Sequence, residues 1–319
     1  MIVTLTANPS LDRTAHLSGT LERGGVNRIE HVTVEPGGKG VNVARAVALA
    51  GEAAVAVLPA RGDDPLLAGL DRIGLAYRNL TVAELARTNL TVTEPDGTTT
   101  KLNEPGAALT AAEAGALETL LLDAADGAGW VALSGSLPPG VPAGWYASLV
   151  VELHARGARV AVDTSDAPLR ELAAAFPAAA PDLLKPNAEE LGQLTGTDGA
   201  LLETAAQSGD LAPTVAAAGA LVARGVGAVL ATLGAAGALL VTAEGAWSAT
   251  PPPITPRSTV GAGDSSLAGY LLAAVAGAPE PDRLRRAVAY GSAAASLPGT
   301  TLPRPEQTDP ERVVVTSVH

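Results

Sequence analysis

The sequence predicts an α/β protein: a doubly wound, mostly parallel sheet flanked by helices, with a small β-sheet lid over one edge. Three observations carry that prediction. Short apolar runs alternate with Ala-rich stretches of helical length along most of the 319 residues. The runs are continuously apolar, as strands covered by helices on both faces must be. Two other stretches alternate polar with β-branched or apolar residues, the pattern of half-exposed strands that do not fit inside a parallel sheet.

Taken in order, Ile2–Thr6 is the first buried run, and residues 13–35 form the first alternating stretch. Pro36-Gly37-Gly38-Lys39-Gly40-Val41-Asn42 is a Gly-rich loop opening a helix over Gly40–Ala50, with no strand read immediately before it. Val55–Pro59 is a second buried strand. The second alternating stretch, 88–104, contains a Pro-Asp-Gly turn of the hairpin kind at Pro95–Gly97. Helices follow over Thr110–Ala125, Ala143–Arg156 and Pro213–Arg224, interleaved with strands Trp130–Leu133, Arg159–Val162, Leu183–Lys185 and Ala228–Thr232. A hairpin of Gly237–Thr242 with Gly245–Ala249 leads through Pro251–Pro253 to helices over Gly261–Ala276 and Pro281–Ser296. The tail, Pro303–His319, holds a Val-rich run suited to a docking strand. The main domain is therefore expected over residues 1–12, 36–87 and 105–319, with 13–35 and 88–104 as the lid. A half-apolar β layer seeks a partner, so a homodimer through the lid is expected.

Composition excludes several classes of function. No apolar window is long enough to span a membrane, and the N-terminus has neither a basic n-region nor an apolar core of signal-peptide length, so a cytoplasmic protein is expected. The absence of cysteine removes disulfides, thiolate metal sites and a Cys nucleophile. With 21 basic against 33 acidic residues, net charge −12, a general nucleic-acid binder is excluded and an anionic ligand needs local cations and N–H donors. Of those 21 basic residues 18 are Arg, and only Lys39, Lys101 and Lys185 are Lys, which marks them as candidates for work a guanidinium cannot do. His16, His31, His154 and His319 show no metal-ligand spacing.

Several segments carry candidate chemistry. In Thr259-Val260-Gly261-Ala262-Gly263-Asp264 the glycines precede a long helix, whose open N–H groups and dipole make an anion hole. Asp264 would repel a phosphate there, so its chemical role is a base for a hydroxyl attacking a phosphoryl group; the plain alternative is a first-turn Asp. The loop holding Gly38, Lys39 and Asn42 suits a phosphorylated sugar, and equally a helix entrance with a solvated lysine. It is not a Walker loop, because Val41 stands where Ser or Thr is required, nor a dinucleotide fingerprint. Lys185-Pro186-Asn187-Ala188-Glu189-Glu190 lies where a strand end meets a helix, so Lys185 and Asn187 face the ligand crevice and Glu190 is placed to hold water on Mg²⁺; an ordinary N-cap fits the same residues. Thr232-Leu233-Gly234-Ala235-Ala236-Gly237 is a nucleotide cradle or a hairpin corner. Asn8 and Asp12, after the first strand, and Ser134-Gly135-Ser136 are turns at the same crevice.

The conjunction is more specific than any member. From NPSLD near the start through GGKGVNVAR at 37–45, SGSLPPG at 134–140, KPNAEEL at 185–191, TLGAAG at 232–237 and TVGAGDS at 259–265, the chain resembles the ribokinase-like carbohydrate kinases of the PfkB family from end to end. LTANPSLDRT, the Asn-Leu-Thr-Val-Thr-Glu-Pro-Asp-Gly hairpin and LNEPG at 102–106 are most similar to the 1-phosphofructokinase branch, with the tagatose-6-phosphate kinases close behind. The resemblance implies ATP and Mg²⁺ as cofactors and the phosphorylation of fructose 1-phosphate to fructose 1,6-bisphosphate. It implies Asp264 as base and Gly261, Ala262 and Gly263 as the anion hole. Asp12, Gly38, Lys39 and Asn42 match sugar-phosphate positions, with Arg28 and Lys101 from the lid as phosphate partners. Lys185, Asn187 and Glu190 match the nucleotide-phosphate and Mg²⁺-water region, and Thr232, Gly234 and Gly237 the ATP cradle. Arg87 stands at the lid edge, where a relative could use a cation for a substrate phosphate. Tagatose 6-phosphate or fructose 6-phosphate is the alternative substrate. A non-catalytic regulator on this fold would lack the base or the hole, and here both are intact.

Overall fold

The computed structural model describes residues 1–318, so His319 lies outside the described residues. The strands are β1 (Ile2–Leu5), β2 (Ser10–Leu17), β3 (Ile29–Gly37), β4 (Ala54–Ala60), β5 (Tyr77–Thr81), β6 (Arg87–Thr93), β7 (Thr99–Asn103), β8 (Trp130–Ser134), β9 (Val160–Asp163), β10 (Leu183–Leu184), β11 (Ala228–Thr232), β12 (Ala238–Thr242), β13 (Gly245–Thr250) and β14 (Val314–Val318). The helices are α1 (Lys39–Leu49), α2 (Pro65–Arg72), α3 (Ala111–Ala124), α4 (Trp145–Ala155), α5 (Asp166–Ala174), α6 (Ala188–Thr195), α7 (Gly199–Gln207), α8 (Ala212–Val222), α9 (Ala262–Val275) and α10 (Glu280–Ser296).

The apolar runs become the interior of one ten-stranded sheet, ordered β14-β13-β12-β11-β10-β9-β8-β1-β4-β5. From β11 to β5 every pairing is parallel, and β12, β13 and β14 add an antiparallel edge. Period-two alternation divides the sheet residues between two cores. Val3 and Leu5 join Val131 and Leu133 beneath α3 to α8, whereas Ile2, Trp130 and Ala132 meet α1, α2, α9 and α10 on the other face. The chain leaves β1 toward β4 and later returns on the opposite side with β8, so the sheet's switch point lies between β1 and β8, where a ligand crevice forms at the strand C-termini. Among the described residues no helix is long and apolar enough to cross a membrane.

The alternating stretches form a separate four-stranded sheet, β3-β2-β6-β7. Its strands reach further than the sequence suggests: β2 begins at Ser10 and β3 runs to Gly37, so Asp12, read as part of the main domain, belongs to this sheet. The reading that no strand precedes the Gly-rich loop is thereby corrected. The strand read within 13–35 runs on into the loop, because Pro36-Gly37 imitates a loop although Ser10 and Leu11 pair with Gly37 and Pro36. The edge strand β5 and helices α2, α5 and α7, also absent from the sequence reading, are short segments of five to nine residues. The tail does dock, β14 pairing with β13.

Leu133, fully buried in β8, and Val151, 43% exposed on α4, give a contrast in packing. Leu133→Ala should lower stability by about 2–5 kcal/mol, and Val151→Ala by no more than about 0.5 kcal/mol, as read from denaturant midpoints.

Candidate active site

Five parallel strands end at the crevice, and each delivers a segment there: β1 leads to Thr6, β8 to Ser134, β9 to Asp163, β10 to Lys185 and β11 to Thr232. Asp163 is the centre. Its carboxylate is 1% exposed and lies between Lys39 Nζ at 2.8 Å and Lys185 Nζ at 3.0 Å. Burial alone would push the Asp163 carboxyl up, but Lys185 and Lys39 reverse this and hold it below the usual carboxylate range. The same pairing works on Lys39, where burial favours loss of the proton and Asp163 and Asp264 override it, raising its pKa. Sequence reading missed Asp163, because the apolar run Arg159–Val162 stops one residue short of it. The signal available was its position at a parallel strand's C-terminus, followed by Thr164 and Ser165.

Two helix N-termini converge beside this triad. At α1, Gly38 has φ 104°, a conformation that L side chains rarely adopt, and a Cβ there would lie 2.6 Å from the Thr6 side chain. At α9, Gly261 takes the left-handed N-cap, and the amides of Gly263 and Asp264 have no acceptor within the described residues. A Cβ on Gly263 would sit 3.3 Å from Lys185 Nζ, so the bare glycine lets the lysine lie against the helix entrance. Asn42, one turn into α1, donates from Nδ2 to Asp264 Oδ2 at 2.9 Å and joins the two helices. Burial, then the nearby Asp163 charge, pushes the Asp264 carboxyl up to about 6.

The remaining predicted residues divide into those brought to this cluster and those kept apart. Asn187 caps α6, accepting from Glu190 N–H at 2.8 Å, while Glu190 Oε2 accepts from Asn187 N–H at 2.9 Å. This capping box engages one oxygen of Glu190; Oε1 makes no hydrogen bond within the described residues. Burial raises the Glu190 carboxyl. Thr232 adjoins Asn187 through an isolated bridge, and Gly234 and Gly237 bound a 3₁₀ turn at the β11–β12 corner. Asn8 bonds Pro105 O at 3.0 Å and Ser136 Oγ at 3.3 Å, which draws three sequence-distant segments together. Asp12 accepts from Ser10 Oγ at 2.8 Å and Asn89 Nδ2 at 3.0 Å on the small sheet.

Arg28 does not join the cluster within this chain. It precedes Ile29, which pairs with Leu17, five residues along β2 from Asp12, or about 17 Å at strand spacing. Lys101 shares the Asp12 face, but its register partner Thr91 lies two residues beyond Asn89, and it makes no ion pair among the described residues. Arg87 lies nearer: it pairs with Ser10, donates to Glu104 O at 3.0 Å and feels the Asp12 charge. His16 and His31 stack across β2 and β3 with ring centroids 4.0 Å apart. His154 bonds Asp182 at 2.9 Å, away from the cluster.

Among the described residues no group of three or more His, Cys, Asp or Glu is arranged to hold a metal ion alone. A magnesium ion carried by nucleotide phosphates needs only one or two carboxylates and keeps its waters. The unpaired Oε1 of Glu190, a hard oxygen donor, fits that requirement. Chemically, the cluster offers open helix amides and two lysines for an anion, beside a carboxyl poised between its charged and neutral forms.

Comparison with known proteins agrees with this chemistry. A family model, pfkB family carbohydrate kinase, matches residues 5–307. A relative from Rhodobacter capsulatus named 1-phosphofructokinase is 37% identical over 96% of this chain and 94% of its own length. A relative from Escherichia coli K12 named ATP-dependent 6-phosphofructokinase isozyme 2 is 35% identical over 94% of each chain. The crystal structure of phosphofructokinase-2 from Escherichia coli in complex with substrates and products superposes with a TM-score of 0.86 at 34% identity, covering 96% of both chains. A tetrameric inhibited form of that enzyme superposes at 0.83 with 34% identity, covering 94% of this chain and 95% of that one. The sheet order, the crevice and these likenesses over nearly the whole length lead to one assignment: the chain belongs to the pfkB family of carbohydrate kinases.

Proposed function

We propose that the protein transfers the γ-phosphoryl group of ATP to the C6 hydroxyl of fructose 1-phosphate, giving fructose 1,6-bisphosphate and ADP. The observation that carries this reading is the buried Asp264 carboxyl, held by Asn42 in the first turn of a helix whose leading amides are open. A carboxyl there accepts the proton of an attacking hydroxyl while the amides receive the transferring phosphoryl. The relative named 1-phosphofructokinase supports the substrate. Fructose 6-phosphate is the second reading, favoured by the relative named for 6-phosphofructokinase activity.

In this scheme the C6 oxygen attacks the γ-phosphorus, the bond to the ADP oxygen breaks, and the hydroxyl proton passes to Asp264. Lys39 and Lys185 face the phosphoryl charge from the Asp163 side, and the amides of Gly263 and Asp264 from the helix side. Asp12, Gly38, Lys39 and Asn42 hold the sugar phosphate, with Lys101 as a lid cation on the same face. Thr232, Gly234, Gly237 and Asn187 border the nucleotide. Glu190 would hold Mg²⁺ through water, and the ion would supply neutralisation of phosphate charge, with Asp163 acting on it only at longer range. The need is visible in the local count, since two lysines stand against Asp163, Glu190 and Asp264. The small sheet acts as a lid excluding water, which would otherwise take the phosphoryl group.

The lid also serves as the dimer contact in this proposal. Register sets Asp12, Asn89 and Asn103 on one face and Val34, Leu90 and Leu102 on the other. Val32, Val34 and Leu102 are exposed, an apolar face suited to a second copy.

An ADP-release assay should show fructose 1-phosphate preferred over fructose 6-phosphate, tagatose 6-phosphate and ribose; preference for ribose would overturn the phosphosugar reading. Asp264→Asn should lose about 10²–10⁴ in kcat while melting no lower than wild type at pH 7. The melting control follows because folding raises the carboxyl to about 6: its stabilising contribution is present below the ordinary carboxylate range and lost as pH rises through 6. For the same reason kcat/KM should climb about tenfold per pH unit toward 6 and then level, as the ionised base accumulates. Sedimentation should give a dimer for wild type and a monomer for Val34→Asp with Leu102→Lys.

A further inference from the structure

One side chain ties the small sheet to both helix entrances. Glu35 lies in β3 directly opposite Asp12 of β2. Its Oε1 accepts from Arg45 Nη2 of α1 at 3.1 Å, and its Oε2 accepts from the Thr300 hydroxyl in the segment after α10. Arg45 also donates from Nη1 to Pro36 O at 3.0 Å, gripping the backbone just before the Gly37-Gly38 joint. The guanidinium side is well covered, 11% exposed against 33% for Glu35, so the pair is better shielded than an ordinary surface bridge.

Each partner leads into the site. Arg45 lies three residues after Asn42 on α1, and Asn42 holds Asp264. Thr300 is two residues before Leu302, a buried side chain 3.4 Å from where a Cβ on Gly261 would stand. The carboxylate of Glu35 is thus the junction of three elements: the strand opposite Asp12, the helix that carries Lys39 and Asn42, and the segment packed on the cap of α9.

We infer that Glu35 is a positioning residue, which with Arg45 and Thr300 sets the angle of the small sheet against the two helix entrances and so aligns the acceptor hydroxyl with the phosphoryl hole. The inference rests on the kinase reading above. Breaking the junction frees the sheet relative to α1 and α9 but leaves Asp163, Lys185 and the α6 cap untouched. The loss therefore falls on the phosphosugar and on exclusion of water, not on the nucleotide.

The test uses the full chain with Thr300→Val, which keeps the side-chain shape and removes the donor, Thr300→Ser, which keeps the donor, Glu35→Ala, and the Glu35→Ala/Thr300→Val double variant. Thr300→Val and Glu35→Ala should each raise KM for fructose 1-phosphate about tenfold, the size expected for one hydrogen bond to a charged group. KM for ATP should stay within about twofold, and ATP hydrolysed per sugar phosphorylated should rise. Thr300→Ser should restore wild-type values, and the double variant should be no worse than Glu35→Ala, because both changes remove one link. Thr300→Val indistinguishable from Thr300→Ser, or effects that multiply in the double variant, would overturn the role of Glu35. Should Glu35→Ala not fold, the Val and Ser variants at position 300 decide alone. A wild type that phosphorylates none of the sugars would overturn the kinase reading and this role with it, whereas an active wild type insensitive at position 300 sinks only this role.

Discussion

The buried carboxylate of Asp163 is the constraint on which the site depends. A carboxylate this far from water is costly unless it is paired, and here both oxygens meet lysines that arrive from different strands and helices. Lys39 comes from the entrance of α1 and Lys185 from the end of β10, so the ion triad binds the two sides of the sheet's switch point together. Two cations are thereby held at the crevice of a protein whose net charge is −12. Remove Asp163 and the lysines lose the partner that holds them close to one another.

The second constraint is the meeting of α1 and α9. Both helices begin at glycines, both leave amides open, and the Asn42–Asp264 bond sets their distance. Asp264 stays buried because this packing covers it, and burial is what lifts its carboxyl toward the range where proton transfer is effective. Under the proposed function the same burial that costs stability at neutral pH supplies the base. The small sheet completes the arrangement by presenting Asp12 and Asn89 on one face and an apolar surface on the other.

Much of this was legible beforehand. Continuous apolar runs gave away β1, β4, β8 and β11, since only strands covered on both sides read that way. The glycines of the two loops pointed to helix entrances, and Asp264, Asn42, Lys39 and Lys185 do converge. The rarity of lysine proved informative for Lys39 and Lys185, each a compact charge on one buried carboxylate. Lys101 stands exposed on β7, with no ion pair among the described residues. Arg28 was placed by family resemblance, and strand register separates it from Asp12.

Sequence by itself determined the fold class, the order of the segments and the residue types that carry chemistry, because periodicity and glycine placement act locally along the chain. Tertiary structure alone decided which charges pair. Asp163 sits 124 residues from Lys39, and Asn42 sits 222 residues from Asp264. No local pattern reports such contacts; they exist because parallel strands end on one edge and two helices begin beside it. The same holds for the junction at Glu35, joined to Thr300 across 265 residues, since burial and charge pairing are properties of the packed chain.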